Sequence, residues 1–346
     1  MRRLVLPPMV GCVLWLLTSA SPALADNGPH MKGQGLTPDT CAMCHRAHTA
    51  QAPFLLKENQ QALCFTCHGS SGTGSNLDVE GGIGYSGAGR SGGASGALRG
   101  GGFKYALIDT SKPEPVRDST GKLLEATIKT YASTEPQPTT SAHSINESSQ
   151  MAWGNGAINA SANYGNAVSL ACGSCHDPHG NGMYRILRPI PTESGAAKPG
   201  VEIPEPAGMT HVYTTANYWQ TWDNNDPTFE YKISAWCATC HTRLYEGAGK
   251  GSYKTNSGDA VFTYRHASEW TQAEYESLGH STGGKKVKPN CIQCHVAHGT
   301  DAAMEEHSAA VTLPNGTASN TSGTLNGDSF LLRLNNRGVC QTCHNK

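Results

Sequence analysis

The stretch that decides the fold of this chain is Cys41-Ala42-Met43-Cys44-His45-Arg46-Ala47-His48, in which two cysteines three positions apart are followed at once by a histidine and then by another. The Cys-x-x-Cys-His pattern returns five more times and uses twelve of the 13 cysteines. The remaining cysteine, Cys12, lies near the N-terminus. The other five motifs are Cys64, Cys67 and His68; Cys172, Cys175 and His176; Cys237, Cys240 and His241; Cys291, Cys294 and His295; and Cys340, Cys343 and His344.

The uniform spacing predicts that each motif attaches one haem c group. Cysteines three positions apart place both sulfur atoms on one side of a helical turn, where they can bond the two vinyl groups of one haem. The histidine that follows then faces the iron as its proximal ligand. A zinc site would fit the spacing between Cys44 and Cys64, but neither zinc nor a disulfide framework explains a histidine after every pair. The sequence therefore predicts six covalent haems.

The second axial ligands are expected among the nine histidines outside the motifs. Three of them form Cys-x-x-Cys-His-x-x-His sequences, and a histidine three positions after the proximal one lies on roughly the same face of the turn. Such a histidine cannot reach the far side of its own haem, so we expect it to serve a neighbouring one. These three are His48, His179 and His298. Four further candidates are His30, His143, His266 and His280, which leaves one of the seven surplus; His211 and His307 are weaker.

The composition agrees with a core supplied by bound groups. Leucine, isoleucine, valine and phenylalanine number 53 of 346 residues, about 15%, against roughly 20% or more in chains that bury their own core. The formal net charge is only −1, so charge repulsion does not explain the shortfall, and no basic face for nucleic acid is indicated. We expect a haem-cored fold that is mostly coil, with short α-helices at the attachment motifs and little β-structure.

The N-terminus has the pattern of a secretory signal peptide over residues 1–25. Arg2 and Arg3 precede an apolar stretch, and Ala23-Leu24-Ala25 is a small-x-small cleavage site. A membrane anchor is less favoured because the apolar stretch is short and contains Pro7 and Pro8; lipid attachment at Cys12 is a further alternative. We expect a secreted protein, extracellular or on the outer cell surface, and otherwise periplasmic.

The mature chain, 26–346, is expected to form one domain built from haem-pair units at about 41–68, 172–241 and 291–344. Phe54-Leu55-Leu56-Lys57 precedes Cys64 as Phe330-Leu331-Leu332-Arg333 precedes Cys340. The middle unit is stretched by a proline-rich insertion. Residues 69–102, with 14 glycines, are expected to form a flexible loop, or alternatively to pack closely over a haem face.

The motif order resembles that of the six-haem OmcS-type cytochromes of metal-reducing bacteria, within the multihaem cytochromes with doubled motifs. The likeness rests on His30, the first motif with His48, Cys175-His176-Asp177-Pro178-His179-Gly180, Trp236-Cys237-Ala238-Thr239-Cys240-His241-Thr242, Cys294-His295-Val296-Ala297-His298 and a last motif close to the C-terminus. Members of that family build extracellular filaments. The resemblance implies a homopolymer in which His48 ligates the haem at Cys291 and Cys294 of an adjacent copy.

Three functions fit these features. The first is extracellular electron transfer as the subunit of a conductive filament, exchanging electrons with other multihaem cytochromes or extracellular acceptors. The second is a soluble periplasmic electron shuttle with the same haems. The third, a multihaem reductase, needs an iron with an open position, and no pair here is followed by the lysine found in nitrite reductases of this type. We therefore expect an electron carrier and not an enzyme.

Overall fold

The fold is described by a computed structural model that covers residues 28–30, 38–107, 109–117, 123–132, 136–152, 167–192, 200–204, 212–213, 227–241, 291–302 and 331–333. The expected signal peptide, the sixth motif and residues 242–290 lie outside these described residues. Within them, no helix combines the length and apolar character needed to cross a bilayer.

Each of the five described motifs lies on or at the end of a short helix. The helices are α1 (Pro38–Ala42), α2 (Gln60–His68), α3 (Cys172–Cys175), α4 (Pro227–Cys237) and α5 (Cys291–Cys294). In four motifs the backbone N–H of the histidine donates to the carbonyl of the first cysteine, at 2.9 to 3.1 Å. This i to i−4 bond closes one helical turn, which places the first cysteine and the histidine on one side of it.

The described strands are mostly very short. They are β1 (Leu77–Asp78), β2 (Ile83–Tyr85), β3 (Ala94–Leu98), β4 (Tyr105–Ala106), β5 (Asp109–Arg117), β6 (Leu123–Ala132), β7 (Gln137–Pro138), β8 (Ser141–Ala142), β9 (Ser149–Met151), β10 (Ala167–Ser169), β11 (Val212–Tyr213) and β12 (Gly299–Thr300). One sheet has the order β1-β2-β3-β11, and four two-stranded sheets pair β9 with β10, β8 with β12, β4 with β7 and β5 with β6, all antiparallel.

The glycine-rich segment 69–102 is not the flexible loop that its composition predicts, because β1, β2 and β3 of the four-stranded sheet lie within it. Its glycines allow backbones to approach closely. Gly101 has φ +73°, and a Cβ there would meet the carbonyl oxygen of Gly299. A Cβ on Gly100 would lie 3.2 Å from Nδ1 of His298. The alternative prediction, close packing against a haem site, describes this end of the segment better.

A short segment after each of three motifs bonds back to that motif in the same way. We call it the closing segment, and it ends at Lys57, Arg188 and Arg333. An isolated β-bridge joins each proximal histidine to a leucine: His45 to Leu56, His176 to Leu187 and His295 to Leu332. The next residue is basic in each case, and its N–H donates to the carbonyl of the second motif cysteine: Lys57 to Cys44 at 3.0 Å, Arg188 to Cys175 at 2.8 Å and Arg333 to Cys294 at 2.9 Å. The sequence predicts the first and last copies, and the structure adds the middle one.

A small apolar core packs the region after the third motif against α4, the helix that ends at the fourth motif. Its buried members are Tyr184, Leu187, Ile203, Phe229 and Ile233. The rings of Tyr184 and Phe229 meet edge to face, with centroids 5.0 Å apart. This packing fixes the third and fourth attachment sites relative to each other.

Candidate haem-binding sites

Four proximal histidines each face a histidine from elsewhere in the chain. The ring centroids are 6.2 Å apart for His45 and His179 with 7° between the planes, 6.2 Å for His68 and His30 with 27°, 6.2 Å for His241 and His143 with 53°, and 6.3 Å for His176 and His298 with 63°. Four pairs from separate parts of the chain thus share nearly the same separation.

This separation fits an iron held between the two rings. With a metal–imidazole bond of about 2.0 Å, and about 1.2 Å from the bonding nitrogen to its ring centre, two coaxial ligands have centroids about 6.4 Å apart. Direct ring stacking would bring the centroids closer, and the rings of Phe103 and His298 lie only 4.6 Å apart. The residues present therefore fit a haem iron with two axial histidines.

Backbone carbonyls orient five of these rings. Nδ1 donates from His30 to Pro178 at 2.7 Å, from His45 to Phe54 at 2.9 Å, from His143 to Ala297 at 2.7 Å, from His176 to Arg185 at 2.9 Å and from His298 to Gly101 at 3.3 Å. A carbonyl oxygen can only accept, so each Nδ1 carries the proton. The Nε2 lone pair is then free for a metal, which is how proteins usually orient a ligating histidine.

Burial keeps several of these imidazoles neutral, the form that binds a metal. Desolvation lowers the pKa of His298 to about 3, with a smaller contribution from the nearby His176. It also lowers the pKa of His68, His143 and His176. These rings can therefore bind iron at neutral pH without first losing a proton.

The cysteines of the described motifs stand where thioether bonds to haem would form. The Cys64 thiol donates to Sγ of Cys172, which raises the pKa of Cys64, and the Cys237 thiol donates to Sγ of Cys291 with the same effect. Burial and then the nearby Cys64 raise the pKa of Cys44. Burial and then Cys240 raise the pKa of Cys175 to about 12. Motifs 1 to 5 thus adjoin one another in chain order.

The other site residues predicted from the sequence do not belong to these four histidine pairs. His48 is exposed, and within the described part of the chain its ring makes no hydrogen bond, ion pair or ring contact. Cys67 and Cys294 lie in their described motifs, with intermediate exposure. Outside the described residues lie Cys340, Cys343, His344, His211, His266, His280 and His307. No cluster of three or more metal-binding protein side chains occurs within the described part of the chain.

No sequence pattern predicts the carbonyls that orient the rings, because a residue of any type can supply a backbone acceptor. The middle closing segment could have been found. Arg185-Ile186-Leu187-Arg188 shares an aliphatic residue, a leucine and a basic residue with the other two copies.

A comparison with protein families matched residues 34–73 to a model described as a doubled CXXCH motif. These residues contain the first two motifs, Cys41 to His45 and Cys64 to His68. No curated protein and no solved structure matched the chain. The doubled motif indicates covalently attached haem c and a multihaem c-type cytochrome, a class that transfers electrons.

Proposed function

We propose that this multihaem c-type cytochrome carries six haem c groups and is the subunit of an extracellular electron-conducting filament, and not an enzyme. When bound, each haem c supplies an iron that alternates between the ferric and ferrous states. The observation that carries the proposal is the order of the attachment cysteines. Because the thiols of motifs 1 to 5 adjoin in chain order, the chain would hold its haems in one uninterrupted series.

The histidine pairs support electron transfer over catalysis. A pair of axial histidines occupies both open positions of a haem iron, so no site is left for a substrate. Four such pairs are complete in the described part of the chain: His45 with His179, His68 with His30, His176 with His298, and His241 with His143.

The pairing also has a direction that favours a polymer. His179 of the third motif faces the first motif, and His298 of the fifth motif faces the third. In both cases the extra histidine serves the motif two places earlier. By the same step, His48 of the first motif would serve a motif that only another copy can supply, namely Cys291 and Cys294 of that copy.

The surface around the first motif suits such a contact. Phe54 is 82% exposed, Leu55 54% and Met43 48%, and all three lie within a few residues of His48. Large apolar side chains that remain exposed to water are typical of an interaction site when they form one patch. A second copy docked here would cover these side chains while receiving His48.

A soluble periplasmic shuttle is the alternative. It is favoured by the completeness of four histidine pairs within a single chain. In a shuttle, His266 and His280 would complete the remaining haems, and His48 would be a surface histidine.

Electron microscopy of the purified mature protein tests the proposal. We expect filaments of regular diameter from the wild type and from His307→Ala, the control histidine variant, and isolated particles from His48→Ala. All three proteins should contain the same haem per chain, measured by haem absorbance. Normal filaments from His48→Ala would contradict ligand donation between copies, and isolated particles from the wild type would favour the shuttle.

A further inference from the structure

The Phe103 side chain packs against the imidazole of His298. The two ring centroids lie 4.6 Å apart, with 25° between the planes. This separation is typical of a direct offset stack between two rings, and it is shorter than the 6.2 to 6.3 Å of the four histidine pairs. Phe103 therefore contacts one face of a histidine that is proposed as an axial ligand.

Contacts with three separate parts of the chain hold Phe103 in place. Its N–H donates to the carbonyl of Val79 at 2.9 Å, and its carbonyl accepts the hydroxyl of Thr139 at 3.2 Å. Its ring centroid lies 6.5 Å from that of Phe65, a residue between the two cysteines of the second motif. Because both backbone groups are bonded, the Phe103 ring starts from a fixed main-chain position.

The hydrogen bond that orients His298 is the longest of its kind among the described histidines. Its Nδ1 donates to the Gly101 carbonyl at 3.3 Å, whereas the four other Nδ1 bonds to carbonyls measure 2.7 to 2.9 Å. A bond longer than about 3.2 Å is weak and tolerates some rotation of the donor. A stacked ring resists that rotation, because turning the imidazole would drive its edge into the Phe103 ring.

The plane of the His298 ring matters because it sets an angle at the iron. The rings of His176 and His298 are 63° apart, whereas those of His45 and His179 are only 7° apart. An imidazole mixes with the iron d orbital that lies perpendicular to its own plane. Two parallel rings therefore separate the d orbitals in energy, and two crossed rings leave them close together. Crossed rings give a strongly anisotropic low-spin ferric signal, and parallel rings give a rhombic one.

We propose that Phe103 is a positioning residue that fixes the plane of His298 and so keeps the axial rings of the third haem crossed. Contacts outside the ligand shell orient the ligands of many metal sites and tune the metal. The proposal rests on the proposed haem attachment at the third motif, and it is independent of filament assembly.

A space-filling role for Phe103 predicts a different outcome. If the ring only filled space, its replacement would lower the stability of the protein and leave the angle between the axial rings unchanged. The shape of the low-spin signal separates the two roles, because it responds to that angle and not to the free energy of unfolding.

Electron paramagnetic resonance of the oxidised, purified mature protein tests this inference. His298→Ala identifies the component of the third haem, because that component leaves the low-spin region when its iron loses a ligand. Phe103→Leu keeps a large apolar side chain without the flat ring, and we expect the same component to lose anisotropy while it remains low-spin. Phe103→Tyr keeps the ring, and its spectrum should match that of the wild type.

Phe229→Leu is the matched control for Phe103→Leu. It makes the same chemical change at a buried ring, 2% exposed, that meets Tyr184 in the apolar core. We expect a lower midpoint of thermal unfolding and an unmoved component of the third haem. An unmoved component in Phe103→Leu, or an equal movement in Phe229→Leu, would overturn the proposal. A wild-type protein without haem would instead refute the haem assignment as a whole.

A comparison that needs no Phe103 variant keeps the proposal testable if Phe103→Leu fails to fold. The wild-type component that His298→Ala removes should be more anisotropic than the one that His179→Ala removes, because the two pairs of rings differ in angle. Equal anisotropy, or the reverse order, would show that His298 does not keep this plane and would overturn the proposal.

Discussion

At the scale of single residues, the histidines proposed as axial ligands already have the orientation and the neutral form that an iron needs. A backbone carbonyl holds Nδ1 of His176 and of His298, which leaves Nε2 of each ring pointing away from that bond. Burial keeps both rings neutral by lowering their pKa. The preparation lowers the reorganisation needed on binding, because neither ring must rotate or lose a proton when the metal binds.

Replacing His179 should convert one haem from low-spin to high-spin. His179→Ala removes the ring opposite His45, so that iron loses one of its two strong-field ligands. We expect a high-spin electron paramagnetic resonance signal from about one haem per chain, with unchanged haem content because Cys41 and Cys44 remain.

Three further samples make the His179 prediction specific. Added imidazole should restore the low-spin signal by filling the open position. His298→Ala should give the same change at the third motif, and the double variant should show the two effects summed. A low-spin spectrum for His179→Ala without added imidazole would contradict the pairing of His179 with His45.

At the scale of elements, the glycine-rich segment 69–102 supports the third haem site from the side. Gly100 and Gly101 accept hydrogen bonds from the backbone and the ring of His298, and the Phe103 ring stacks on that imidazole at 4.6 Å. A segment with side chains at these glycines could not approach so closely. The glycine content therefore serves packing at this end of the segment.

Gly101→Ala should destabilise the protein, whereas Gly93→Ala should not. At Gly101 φ is +73° and a Cβ would overlap the Gly299 carbonyl, while a Cβ on Gly93 would have no atom within 4 Å. A strained left-handed alanine with a backbone clash costs about 2 kcal/mol or more. Thermal unfolding followed by circular dichroism should show a lower midpoint for Gly101→Ala alone. Equal midpoints for the two variants would exclude the packing role.

The sequence predicts some elements and misses others for a physical reason. The turn at each attachment motif is local, so the spacing of two cysteines and a histidine is enough to predict it. Leu56 and Leu332 mark the closing segments because their neighbours repeat, but the copy around Leu187 has Arg185 in place of phenylalanine and escapes notice. Composition alone did not show whether the glycines of residues 69–102 allow close packing or form a flexible loop.

At the scale of the whole molecule, long-range histidine pairing links the motifs into one body. His179 of the third motif faces the first site and His298 of the fifth faces the third, so with the proposed haems in place these attachment sites could not separate without breaking axial pairs. We propose that such links let a chain with few large apolar residues hold a fixed shape, since iron and macrocycle would supply the contacts that side chains do not.

The distal pairings were beyond the sequence. His143 and His241 are close in space but separated by the third motif and the proline-rich insertion, and no local pattern joins them. The sequence shows which histidines lie outside the attachment motifs. The distances between ring centroids then indicate which proximal histidine each of four of them faces. The sixth motif, with His266 and His280, lies outside the described residues, and their pairing stays a prediction.

Cryo-electron microscopy of the purified mature protein tests directly whether the motifs hold a series of haems with these axial histidines. We expect haem density at each motif, in chain order, with axial pairs formed by His45 and His179, His68 and His30, His176 and His298, and His241 and His143. Density for zinc or a disulfide between motif cysteines, or irons ligated by different histidines, would contradict it.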